Sequence, residues 1–76
     1  MYAVRISLYD LTRKRVTASF TPYRIANVSR ASDYASDINR SRREDLPPLV
    51  RDTVNALIAV VPGTSYTITA SVLEEQ

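Results

Sequence analysis

Asp33 and Asp37 stand four residues apart. A helix through them sets both carboxylates on one face, the geometry of a general acid/base pair or a magnesium site. A hydrolytic metal site needs a third ligand, for which Glu44 or Asp45 is the nearest candidate. Arg30 and Arg40 each lie three residues from one of the aspartates, a spacing at which helix neighbours form surface ion pairs. Ordinary solvent-exposed pairing is therefore the expected use of these carboxylates. The rest of the chemical inventory is thin, because the 76 residues include no Cys, no His, no Trp and one Gly, Gly63. That removes His-dependent triads, Cys nucleophiles, zinc or haem ligation by imidazole or thiolate, and glycine-rich phosphate loops. No catalytic residue, metal ligand or cofactor is assigned, and the chain is expected not to be an enzyme.

Binding through arginine is the chemistry that remains. Nine of the ten basic residues are Arg, whose planar fork suits phosphate and carboxylate better than the point charge of Lys. The net charge is only +2, but residues 1–43 hold nine basic and three acidic side chains, and residues 44–76 hold one basic and five acidic. The candidate contact residues are Arg5, Tyr9, Arg13, Lys14, Arg15, Arg24, Arg30, Arg40, Arg42 and Arg43. Arg40-Ser41-Arg42-Arg43 is the densest cluster. Its plainest use is to end one helix before Glu44 and Asp45 open the next, as the macrodipoles favour. Tyr9, Tyr23 and Tyr34 are suited to stacking on bases or anchoring a protein interface.

The elements that must position these residues follow from periodicity. Tyr2, Val4, Ile6 and Leu8 alternate with Ala3, Arg5, Ser7 and Tyr9, the period of a strand with one buried face. A second alternation sets Val16, Ala18 and Phe20 against Arg15, Thr17 and Ser19. It makes a hairpin with the first across a short connection, and Pro22 is expected to end it. Apolar residues at Leu46, Leu49, Val50, Val54, Leu57 and Val61 recur at helical spacing, with Asp45 as N-cap and Pro47 and Pro48 in the first turn. Pro62 and Gly63 stop that helix. Tyr66, Ile68, Ala70 and Val72 then alternate as a third strand, which puts Tyr2 and Tyr66 on the core side.

Between Thr21 and Glu44 a helix would align Val28, Ala31, Ala35 and Ile38, with Ser29 as N-cap, although the Ser and Asp content leaves a mobile segment as the alternative. The expected fold is α+β, a single domain over residues 1–76. It is a three-stranded antiparallel sheet of a hairpin and a C-terminal strand, with one or two helices on one face. The other face would show Arg5, Ser7, Tyr9, Arg15, Thr17, Ser19, Thr67, Thr69 and Ser71. Ala56–Val61 has no polar side, so its helix needs cover on more than one face, by the sheet on one side and the segment 23–43 on the other, which is the plainer expectation, or by a second subunit.

A chain this small buries only ~60% of the surface it exposes when unfolded, so a homo-oligomer is expected. The longest apolar run is far too short to span a membrane, and with no secretory signal visible a cytoplasmic location is expected. The function expected from these residues is noncatalytic. It is a protein-binding module or inhibitor, of the kind small phage or mobile-element proteins use against a host machine, acting on an acidic or nucleic-acid-associated partner. The alternative is direct nucleic-acid binding by the outer sheet face through Arg5 and Arg15.

Overall fold

A computed structural model describes residues 1–60 and 65–75; the expected stop at Pro62 and Gly63, and Val61 at the end of the expected helix, lie outside them. The order of elements is β1 (Tyr2–Asp10), β2 (Arg15–Ile25), α1 (Val28–Arg40), a 3-10 turn (Arg43–Asp45), α2 (Pro48–Val60) and β3 (Tyr66–Glu74). The strands form one antiparallel sheet in the order β2-β1-β3. This is the expected small α+β fold, in its two-helix version.

The alternation in β1 does what its period dictates. Val4, Ile6 and Leu8 are wholly buried on the central strand, each worth about 1.5–3 kcal/mol of hydrophobic stabilisation. They meet Ala31, Ala35 and Ile38 of α1, Val50 and Val54 of α2, and Leu46 before α2. Tyr2 and Tyr66 pack against this core as expected. The two alanines let α1 sit close to the sheet, where it lies mainly over β3 and β1. Val28, expected on the same stripe, is exposed instead. The N-cap is Asn27, not Ser29, with Asn27 Oδ1 accepting the Arg30 N–H at 3.2 Å.

Asp10 continues the buried side of β1 and is 1% exposed. Its carboxylate accepts the N–H groups of Thr12 at 2.9 Å and Arg13 at 3.1 Å, and its carbonyl accepts the Lys14 N–H at 2.8 Å. This bracing reverses the chain without an Asn-Gly turn, and it puts Lys14 at φ 56°, a left-handed conformation that costs a side-chain-bearing residue about 1–2 kcal/mol.

β2 departs from simple alternation. Leu8 pairs with Ala18 but Tyr9 pairs with Val16, so Thr17 is an extra, bulged residue; its hydroxyl donates to the Leu8 carbonyl at 3.4 Å. A bulge reverses the facing of what lies beyond it. Val16 thus sits beside Tyr9 on the outer face, 54% exposed, and is not a core residue. Arg15 falls opposite Asp10, on the helix side, and leaves the outer face to which alternation assigned it. A second irregularity sets Thr21 and Pro22 against Arg5, and the strand runs on to Ile25. Pro22 does not end β2, because an edge strand tolerates proline at a bulge.

α2 begins at Pro48, and Asp45 is not its cap but the end of the 3-10 turn. The Pro47 carbonyl accepts the Arg51 N–H at 2.9 Å. Leu49 is 56% exposed, not part of the core. The free edge of β3 is closed at its middle by α1. Asn39 Nδ2 donates to the Ala70 carbonyl at 3.0 Å and Oδ1 accepts the Ala70 N–H at 2.7 Å. The side-chain amide thus takes the place of a neighbouring strand's peptide group.

Candidate functional site

The tyrosines of β2 and α1 make the most distinctive surface feature. Tyr23 stands opposite Val4 on the helix side of the sheet. One turn beyond the first buried alanine of α1, Tyr34 comes over it. The two rings stack, with centroids 5.2 Å apart and planes 26° from parallel. Such aromatic pairs are worth about 0.5–1.5 kcal/mol beyond burial, and the pairing fixes both rings while leaving Tyr34 38% exposed.

Tyr34 is shared by three clefts that run along α1. The first, about 470 Å³, lies between the end of β2 and the start of α1 and is walled by Pro22, Tyr23, Ile25 and Tyr34, with Arg24 and Arg30 at its rim. Among the described residues, no acidic side chain lines it. The positive end of the α1 macrodipole adds to its field, since the first turn of that helix holds no acidic residue. The second cleft contains Arg30, Asp33 and Asp37, and the third contains Asp37, Arg40, Ser41 and Asp45. Charge along α1 therefore changes from wholly basic at its start to mixed at its end.

The basic residues named from sequence separate into groups. Arg13, Lys14 and Arg15 crown the hairpin, with Arg13 Nε 3.8 Å from the Asp10 carboxylate. Arg5 and Tyr9 lie on the outer sheet face, paired with Ser71 and Thr67 of β3. Arg24 lies on that face too, and its Nε bonds Glu75 Oε1 at 2.9 Å. This ion pair links the flanks of the sheet beside Ala3, whose small side chain is 3% exposed on the central strand. Arg30 and Arg40 belong to the α1 clefts. Arg42 and Arg43 follow α1, and Arg43 Nη2 donates to Asn55 Oδ1 of α2 at 2.6 Å.

The outer face expected to carry both Arg5 and Arg15 thus carries Arg5 with Arg24. Arg5 is its one basic side chain without an ion pair among the described residues. The expected pairing of Asp33 and Asp37 with Arg30 and Arg40 is not made either, since neither aspartate forms an ion pair among the described residues. No group of three His, Cys, Asp or Glu side chains converges among the described residues.

Reasoning from the sequence named Tyr23 and Tyr34 separately but missed that they form one platform, since the ten residues between them carry no signal of contact. It also missed Asn39, whose role depends on how α1 lies against β3. Comparison with protein-family models, curated proteins and solved structures finds no match to this chain.

Proposed function

We propose that this chain is a noncatalytic binding module that captures an acidic segment of a protein partner in the cleft between β2 and α1. The observation that carries this reading is the stacked Tyr23–Tyr34 pair, with Tyr34 38% exposed and Arg30 beside it, in a cleft whose lining among the described residues holds no acidic side chain; Arg24, at the rim, is already bonded to Glu75. Tyrosine and arginine are the residues that dominate binding hot spots: a rigid aromatic surface loses little entropy, and a guanidinium bonds a carboxylate through two parallel N–H groups. Arg30 makes no side-chain bond among the described residues, and Arg24 uses only Nε. Arg30 is thus the cation of the cleft with its whole fork open to an incoming carboxylate, whereas the charge of Arg24 is already met by Glu75. Acting as an inhibitor or an adaptor, such a module works by occupying an acidic surface.

Direct nucleic-acid binding by the outer face ranks second, because Arg15 has left that face and Glu75 neutralises Arg24 there. The test is fluorescence anisotropy with a labelled Glu/Asp-rich peptide carrying one leucine, run beside labelled single-stranded DNA, duplex DNA and RNA at low and physiological salt. The expected result is peptide binding that falls at least tenfold in both Arg30→Glu and Tyr34→Ala. Unchanged peptide affinity in both variants overturns the cleft. Binding to nucleic acid that is steeply salt-dependent and lost in Arg5→Glu favours the second reading.

A further inference from the structure

A row of four charged side chains runs along α1. Arg30, Asp33, Asp37 and Arg40 are all exposed, and none forms a side-chain hydrogen bond or ion pair among the described residues. At about 100° per residue they fall within about 80° of one another on the helix surface. Tyr34 stands about 40° beyond Arg30, toward the sheet, and lines each of the three clefts in which these charges take part. The row therefore continues the tyrosine cleft along the helix, and its charges read plus, minus, minus, plus.

We infer that the captured segment is not uniformly acidic but carries a basic residue between two acidic ones; this rests on the reading of the cleft between β2 and α1 as a peptide site. One acidic side chain meets Arg30, the basic one lies between Asp33 and Asp37, and the second acidic one meets Arg40. Spacing fixes the segment further. From Arg30 to the level midway between the aspartates is five helix residues, about 7.5 Å, and from there to Arg40 the same again. Two residues of an extended chain cover about 6.6–6.8 Å, and side chains two apart share a face. An extended Glu-x-Lys-x-Glu segment thus meets the whole row with one face. A leucine two residues before its first glutamate reaches the apolar walls of the first cleft at Tyr23, Ile25 and Tyr34.

Charge order also discriminates between occupants. The row reads alike from both ends, so a second copy of α1 docked antiparallel sets Arg30 against Arg40 and Asp33 against Asp37. Docked parallel, it sets each charge against itself. Both arrangements oppose like charges, which suppresses self-association through this face. A wholly acidic segment is the poorer ligand for the same reason, because its middle carboxylate faces the two aspartates.

The test is fluorescence anisotropy at low salt with two labelled peptides, Leu-Ser-Glu-Ser-Lys-Ser-Glu and the same peptide with Glu in place of Lys. The expected result is at least fivefold tighter binding of the lysine peptide to the parent chain, narrowing at physiological salt as exposed charge pairs are screened. In the double variant Asp33→Lys, Asp37→Lys the preference should reverse. If that variant alters the melting curve, Asp33→Asn with Asp37→Asn serves, and there the preference should disappear. Binding that is lost in Tyr34→Ala but equal for the two peptides overturns the charge order and leaves the cleft standing. A lysine preference that persists in the aspartate variants also overturns it. Binding of neither peptide, or binding indifferent to Tyr34→Ala, overturns the cleft and the order together.

Discussion

Replacing Asn39 tests how α1 is fastened to the sheet. Its two hydrogen bonds to Ala70, at 3.0 and 2.7 Å, are solvent-accessible, so each contributes toward the lower end of the net ~0.5–1.5 kcal/mol range. Asn39→Ala forfeits about 1.5 kcal/mol of bonding and recovers about 0.6 kcal/mol of helix propensity. The net loss of about 1 kcal/mol lowers Tm by about 4–8 °C in a domain this small.

Asn39→Asp is the sharper probe. Oδ1 still accepts the Ala70 N–H, but a carboxylate oxygen replaces the donor that faced the Ala70 carbonyl. The new negative charge also sits in the last turn of α1, unfavourable by about 0.3–1 kcal/mol. The expected loss at pH 7 is about 2 kcal/mol, larger than for alanine.

Protonation restores a donor toward the Ala70 carbonyl, so the folded state favours the neutral carboxyl and raises its pKa. The deficit relative to the parent chain is absent below the ordinary carboxylate range and develops as pH rises through it. Thermal melts of the three proteins by circular dichroism at pH 7 and pH 4 decide the matter. An alanine variant melting within 1 °C of the parent, or an aspartate variant no less stable than alanine at pH 7, refutes the edge-closing role.

Lys14→Gly should raise stability by about 0.5–1 kcal/mol, because glycine adopts the left-handed φ at position 14 without steric cost while losing some unfolded-state restriction; urea denaturation reads the change. Asp10→Ala should cost about 2 kcal/mol, since the Thr12 and Arg13 N–H groups lose their acceptor at a nearly sealed position, and the loss appears as a lower urea midpoint with unchanged slope. The bulge at Thr17 predicts that Val16→Ser changes stability by less than about 0.5 kcal/mol, whereas Phe20→Ala, packed against the core, costs about 2 kcal/mol or more. Equal losses at the two positions in a chemical denaturation series would mean that simple alternation holds through β2.

How far the chain could be read from its residues differs between elements. The period of two in β1 is set by backbone geometry alone, so Val4, Ile6 and Leu8 were legible as the core face, and β3 likewise. In β2 the same rule put Val16 inside and Arg15 outside, and both placements were reversed by one extra residue. A bulge has no compositional mark strong enough to see at Thr17; it is chosen by how the strand pairs with β1. Helix starts shifted for a similar local reason, with Asn27 and not Ser29 taking the cap, and Pro47 and Pro48 delaying α2 past Asp45.

Local periodicity and composition by themselves determined the α+β class, the buried face of the central strand, and the absence of the residues on which His-, Cys- and zinc-dependent chemistry rests. These properties depend on residue type and spacing along the chain, which sequence states outright. Tertiary structure alone decided which arginines share a surface, that Tyr23 and Tyr34 stack, that Asn39 closes the β3 edge, and that Leu49 of α2 stays exposed. Each of those depends on register and on the placement of one element against another, where a single bulged residue or a shift in helix position turns a side chain from one face to the other.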